Sequence, residues 1–341
     1  MASLSVPDFD SLPPVKGMPK GCAWGVFDKD GKKDHLGCIN FLTPHVVREA
    51  YKEARDGFSV SLNWSLAALS KPGFDRKGLK HKVISKDCAD GHHGFDDEVE
   101  FNTQCSSQWD SLVHYQHQDS QTSYNGCKPT VESLEQSFPQ EGERRQFPTL
   151  DHWHDRGGLV GRGVLLDYRA YSQAMGIGYS CFDEKRITVN ELEEIAKYQG
   201  TLLKHGDILI IRTGFTEDIT SPGSYEAQAK AFATHKAVGV EGNERVARWF
   251  WNKRFSAVAS DSIAFEALPP VREDGSEGGI NEPVLHQYFL SLFGLHIGEL
   301  WDLKALSAKC KELNRYSFLL TSVPINIPGS IGSPPNALAI F

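Results

Sequence analysis

Gly206-Asp-Ile-Leu-Ile-Ile-Arg212 sets four consecutive β-prone apolar residues between a turn glycine and an arginine. A strand wetted on one face alternates apolar and polar residues, whereas an unbroken apolar run needs cover on both faces. The stretch therefore predicts a strand buried inside a sheet. Working outward, Val160 to Asp167, with Gly161-Arg-Gly-Val-Leu-Leu-Asp167, reads the same way. So do Ser256-Ala-Val-Ala259, which runs into Asp261-Ser262, and the late segment Tyr316 to Val323. Helical patterns separate these runs. Thr188-Val-Asn-Glu191 is a capping box continued by Leu192, Ile195, Ala196 and Gln199. Residues 224–236 read as a helix, as does Glu244 to Trp251 with its stripe of Val246, Ala247, Phe250 and Trp251. Val284 to Leu292 is expected to be a helix carrying His286. Nearer the start, Thr43 can cap a helix to Ala54 with Pro44 in its first turn, and residues 56–63 alternate like a strand. Helices alternating with buried strands define an α/β class.

No linker divides the 341 residues, so one domain is expected. Residues 1–20 carry four prolines and read as an extended arm over the surface. Residues 119–150 are polar and turn-rich, the pattern of a mobile loop or lid. The formal charge of −8 argues against a nucleic-acid partner, which calls for clustered Lys and Arg. No apolar run approaches the ~20 residues that span a bilayer, so no membrane role is expected. The N-terminus lacks the basic-then-apolar pattern of a secretory signal. The seven cysteines are scattered without a Cys-x-x-Cys pair, which fits reduced thiols and a cytoplasmic protein.

Chemistry concentrates in residues 96–127, where Gln104, Gln108, Asp110, His114 and His117 crowd a span that begins strand-like at Val99–Phe101. Residues two apart in an extended chain share a face, so Ser106, Gln108 and Asp110 are expected to converge. A carboxylate four residues from an imidazole suits a metal ligand and a general base, with a polar surface loop as the alternative. His286 and Glu299 form an ionisable pair in an otherwise apolar segment. A buried carboxylate there must be paired or bound to a cation; a structural ion pair is the alternative. Asp261 ends an apolar strand, where α/β proteins often bind ligands, although a cap for the next element explains it as well. His92-His93 reads as a solvated turn. Trp24, in Trp24-Gly25 near Asp34-His-Leu-Gly37, reads as a pocket wall or as core.

Taken together, the chain resembles the cyclase-like superfamily of metal-dependent hydrolases, which includes kynurenine formamidase and isatin hydrolase. More closely, it is similar to the larger, fungal-type branch with the signature Gln-Trp-Asp-x-Leu-x-His. The resemblance rests on Trp24-Gly25 through Asn40-Phe-Leu-Thr-Pro44, Phe101-Asn-Thr-Gln104, Gln108-Trp-Asp-Ser-Leu-Val-His114, Tyr124-Asn-Gly126, Gly161–Asp167, Gly206–Phe215, Asp261-Ser262, Gly298-Glu-Leu-Trp-Asp-Leu303 and Ser333-Pro-Pro-Asn-Ala-Leu338, in order along nearly the whole chain.

The resemblance implies a swivelling β/α/β fold with a mixed central sheet and flanking helices, assembled as a homodimer or larger homo-oligomer. It also implies a divalent metal, manganese or zinc, and hydrolysis of an amide or cyclic amide. In the better-known branch, two early histidines and an aspartate bind the metal and a following histidine is the acid and base. By match, Asp110 is a ligand, His286 and Glu299 complete the set, and His114 is the catalytic histidine. Gln104 and Gln108 replace the early histidines. An amide oxygen is a harder donor than imidazole, which favours Mn²⁺ or Mg²⁺ over Zn²⁺.

The leading expectation is a hydrolase for a small amide, lactam, lactone or formamide. The metal would be held by Asp110, His286 and Glu299 with Gln108 as a fourth ligand, and His114 and Asp110 would carry the catalysis. Trp24 and Trp109 are expected to wall the substrate, with Gln104, Tyr124 and Asp261 also in contact with it. The replaced histidines leave two alternatives: an isomerase, dehydratase or cyclase of secondary metabolism, metal-free or metal-assisted, and a ligand-binding protein that has lost catalysis.

Overall fold

The computed structural model describes residues 4–86, 93–135, 146–220, 225–272, 274–279 and 281–341. The described strands are β1 (Ser59–Ser61), β2 (Lys80–Ser85), β3 (Phe95–Glu100), β4 (Gln108–Asp110), β5 (Leu159–Asp167), β6 (Arg186–Ile187), β7 (Ile208–Arg212), β8 (Gly239–Val240), β9 (Ala257–Ser260), β10 (His296–Glu299), β11 (Ser317–Ser322), β12 (Gly332–Ser333) and β13 (Ala337–Ile340). Nine of them form one mixed sheet in the order β1-β13-β11-β5-β7-β9-β10-β4-β12.

The middle of this sheet is parallel: β7 lies between β5 and β9, and β9 pairs in parallel with β10. Both wings are antiparallel. All five residues of β7 are buried because one core packs on each face of the sheet. The first holds Phe250, Trp251, Phe289 and Phe293; the second holds Trp109, Trp153, Trp301 and Phe318. Close strand packing depends on Gly163, since a Cβ there would lie 2.3 Å from the Phe318 ring.

The helices form where their caps dictate. Thr188 and Glu191 complete a capping box on Val189–Tyr198, and the Thr43 side chain caps Pro44–Ala50, which passes into a 3-10 turn at Tyr51–Glu53. The expected helix from Val284 to Leu292 is different in kind. A single turn at Val284–His286 leads into a π-helix at Gln287–Phe293, ended by Gly294 in the left-handed region. Its residues are buried nearly all round, so no apolar stripe fixes the ordinary helical period.

The N-terminal arm is anchored. Phe9 is fully buried beside Tyr288 and Phe293, and Arg254 donates to the Val6 carbonyl. Within 119–150, residues 136–145 lie outside the described set. Residues 122–125 are tied down rather than lid-like, while 128–135 are mostly exposed: Tyr124 and Asn125 are buried, and the Asn125 amide donates to Asp28 and to the Asp34 carbonyl. His93 is exposed and His92 lies outside the described residues. The six described cysteines are free thiols. No helix among the described residues is long and apolar enough to cross a membrane.

Candidate metal centre

Strand β4 is three residues long, and its pleat sorts chemistry from packing. It runs antiparallel to β10 with Gln108 opposite Glu299, Trp109 opposite Gly298 and Asp110 opposite Ile297. Residues directly opposite share a face, and so do residues two apart. Gln108, Glu299 and Asp110 therefore project together, while Trp109 projects the other way. The Val284–His286 turn brings His286 to the same place. Ligand atoms of Asp110, His286 and Glu299 all lie within 4.8 Å of one another, and the three side chains are buried. A segment early in the chain thus meets two from its last fifth.

Hydrogen bonds fix the cluster. Gln108 Nε2 donates to Glu299 Oε2 at 2.8 Å, and Gln104 Nε2 donates to Asp110 Oδ1 at 2.5 Å. The Phe265 backbone N–H donates to Glu299 Oε1 at 3.2 Å. His286 is gripped from both sides, with Nδ1 3.0 Å from Glu266 Oε1 and Nε2 3.2 Å from Glu299 Oε1. Burial alone would push the imidazole toward neutrality; the bonds and charges of Glu266 and Glu299 outweigh it and lift its pKa to about 10. Burial raises the Asp110 pKa, and the Glu299 charge adds to the rise. His114 lies beside the Gln104 amide, 3.3 Å from each ring nitrogen, and burial lowers its pKa against the pull of Asp110.

Two buried atoms in the cluster, Asp110 Oδ2 and Gln108 Oε1, have no hydrogen-bond partner. Leaving such atoms unpaired costs about 1–3 kcal/mol each. Two carboxylates, an imidazole and an amide oxygen are together a donor set that suits a hard or borderline divalent cation. As arranged, both glutamine amides donate to the carboxylates. Turning the Gln108 amide over would aim its oxygen at the same centre. The residues present therefore fit a metal ion.

Glu266 is the residue that sequence reasoning missed. It is fully buried and accepts the backbone N–H groups of Val284 and His286 as well as facing the His286 ring. It fixes which ring nitrogen points at the centre, as carboxylates behind metal-binding histidines do. Its signal was available: Ala264-Phe-Glu-Ala-Leu268 isolates one carboxylate in an apolar run, the same cue that singled out Glu299.

Other expected site residues stand elsewhere. Trp109 is a correction: it is fully buried between Trp153 and Trp301, its ring centroids 5.4 and 4.9 Å from theirs, and it presents no face to a substrate. Its indole N–H donates to Ser322 Oγ at 2.9 Å. Trp109→Phe is expected to cost about 1–3 kcal/mol from lost volume and the lost hydrogen bond, read as a lower urea midpoint. Ser106 turns away to donate to the Ser65 carbonyl.

Tyr124 is fully buried and donates to Asp34, and Trp24 donates to the Ser291 carbonyl while packing on Gly126. Neither reaches the cluster through a hydrogen bond. Asp261 is fully buried and accepts from Thr213 N and Oγ1 and from Gly214 N, so it holds the loop after β7. Burial lifts its pKa to about 6 against those three donors. Both of its oxygens are engaged by the protein, which leaves it poorly placed to take a substrate.

The family model described as "Putative cyclase" matches residues 40–267. Among solved structures, one described as a novel cyclase is 26% identical, with a TM-score of 0.74 over 94% of this chain and 99% of that one. Isatin hydrolase A from Ralstonia solanacearum shares the fold at 14% identity, with a TM-score of 0.55 over 87% of this chain and 97% of that one. An isatin hydrolase bound to the product analogue thioisatinate does so at 14% identity, with a TM-score of 0.53 over 83% and 92%. No curated protein matches the chain at a significant level.

Proposed function

The chain belongs to the cyclase family, and from that premise we propose that it is a metal-dependent hydrolase of a small amide, lactam, lactone or formamide. The observation that carries this reading is the meeting of buried Asp110, His286 and Glu299, with Asp110 Oδ2 left without a hydrogen-bond partner. These three residues would hold a divalent cation, with Gln108 as a fourth ligand through its amide oxygen. The oxygen-rich set favours Mn²⁺ or Mg²⁺ over Zn²⁺. The chemistry such a cation supplies is Lewis acidity, which acidifies water and polarises a carbonyl.

The protein's own groups supply the rest. His114, partly exposed beside the buried carboxylates, takes a proton from water as its oxygen bonds to the carbonyl carbon. It returns that proton to the departing nitrogen or oxygen as the carbon–heteroatom bond breaks. The products are a carboxylic acid and an amine or alcohol, joined in one molecule when the substrate is cyclic. Gln104 positions both partners through its contacts with Asp110 and the His114 ring. Glu266 keeps His286 in place.

His114→Ala is expected to lower turnover by about a hundred- to ten-thousand-fold with the circular dichroism spectrum unchanged. Unchanged turnover in that folded variant would remove His114 from the reaction. A second reading, acid–base isomerisation without a metal, is favoured by one observation: the two glutamine amides already donate to the carboxylates. Metal analysis separates the two. Loss of a stoichiometric cation together with activity supports hydrolysis, and full activity in chelator supports isomerisation.

We also propose a cytoplasmic homo-oligomer. The β2–β3 hairpin carries Val83, Phe95 and Val99 on one face, 60, 78 and 56% exposed. An isolated hairpin is marginal in water, so a second copy of the chain is the expected cover. A monomeric mass by light scattering would count against it.

A further inference from the structure

We propose that a cavity of about 530 Å³, linked to the metal centre through Arg76 and Gln104, receives an apolar substituent of the substrate, of aryl or medium alkyl size. The proposal rests on the hydrolytic reading above and adds a substrate class to it. Phe74, Phe215, Phe232, Ile263 and Leu268 line the cavity, with Gly73 between them. Its volume lies within the range of small-molecule sites, roughly 300–1,000 Å³. Lys236 also reaches it, but its ammonium lies 3.1 Å from Glu184 and is committed there. Asp75 and His235, both exposed, line it as well, so it is the buried wall of Phe215, Ile263 and Leu268 that favours an apolar group.

Contacts lead from both walls toward the metal centre. On one side, Phe74 lies under the Arg76 guanidinium, 5.1 Å from it, and Arg76 donates to the Gln104 carbonyl at 3.1 Å. Gln104 in turn donates to Asp110. On the other side, Ile263 stands two residues before Phe265, whose N–H donates to Glu299. Phe74 and Asp75 are consecutive non-glycine residues at positive φ, 59° and 55°, in the loop that forms the rim. Such conformations are costly and persist where the surroundings fix them, often at ligand sites.

Gly73 offers a direct test. A Cβ at this position would lie 3.0 Å from Ile263 Cδ1 and 3.8 Å from Phe232 Cε1, so Gly73→Leu fills the space between them. Phe232→Ala enlarges the same space and guards against a misfolded first variant. The Mn²⁺-loaded protein would be assayed on p-nitrophenyl acetate, butyrate and hexanoate. In the wild type kcat/KM is expected to rise about tenfold or more from acetate to hexanoate. Gly73→Leu should erase that rise while sparing acetate, and Phe232→Ala should move the preference to longer chains. A flat wild-type series, or a series unchanged in both variants, overturns the proposal.

If no ester is turned over, acyclic esters are not substrates, the hydrolytic reading is left to the metal analysis, and the cavity is judged by binding of neutral N-phenyl-1-naphthylamine. Saturable one-to-one binding to the wild type and to Glu299→Gln, weakened about tenfold or more by Gly73→Leu, supports the cavity. Absent binding, or equal binding in Gly73→Leu, sinks it.

Discussion

Asp110→Asn is expected to abolish turnover, a loss of more than about ten-thousand-fold, and at the same time to raise the melting temperature of the metal-free protein. The two effects share one cause. Asp110 is fully buried, and burial together with the Glu299 charge makes its ionised form costly. The neutral isostere removes that cost while keeping shape and volume. On the proposed reading, the same substitution removes an anionic ligand, so the centre would lose its hold on a cation and the Lewis acidity that goes with it. Titration with Mn²⁺ provides the check. At a hundredfold excess over Kd, a cation that binds only the folded wild type adds about 2.7 kcal/mol of stability. The variant should show no such rise. A variant that keeps both turnover and the cation-induced shift would remove Asp110 from the centre.

Arg212→Met should be the most damaging change away from the cluster, costing about 3–5 kcal/mol. Arg212 ends β7 with 8% of its surface exposed. It donates to Asp167 Oδ1 at 2.8 Å and, through Nε and a terminal nitrogen, to Glu217 Oε1 at 2.9 and 2.6 Å. Methionine fills much of the volume but leaves Asp167, 2% exposed, without its cation. An unpaired buried charge is far more costly than the intact pair is stabilising. The loss would appear as a lower urea midpoint. Arg212→Met/Asp167→Asn should recover part of it, because the second change removes the stranded charge. An unchanged midpoint in the single variant would show that water reaches Asp167.

The sequence made the parallel centre of the sheet plain, because strands such as Ile208–Arg212 are long enough, and apolar enough, to show their burial. It did the same for capped helices such as Val189–Tyr198, whose start is written in Thr188 and Glu191. Short strands left no comparable trace. β4, β10 and β12 hold two to four residues each, too few for a period, and the first two carry polar side chains because they build the centre. The β2–β3 hairpin was visible only at Val99–Phe101, since its residues are almost all exposed and no buried face imposes alternation. Asp110, His286 and Glu299 were singled out from chemistry and resemblance, and they do come together.

The pleat of β4 places Trp109 on the dry side of the strand. If Gln108 and Asp110 face one way, the residue between them cannot. The π-helix after His286 was illegible for another reason: a run buried on all sides carries no angular signal.

The three residues of β4 also set the terms on which this segment can change. Indole belongs to the dry side of the strand and amide and carboxylate to the other, so deleting or inserting a single codon there would invert them. A charged oxygen would be driven into a nest of tryptophans, and an indole would be thrust among the buried carboxylates. The polar cluster and foldability would then vanish in one mutational event. Viable length variation has to be absorbed by the flanking loops, leaving the reading frame of these three side chains untouched.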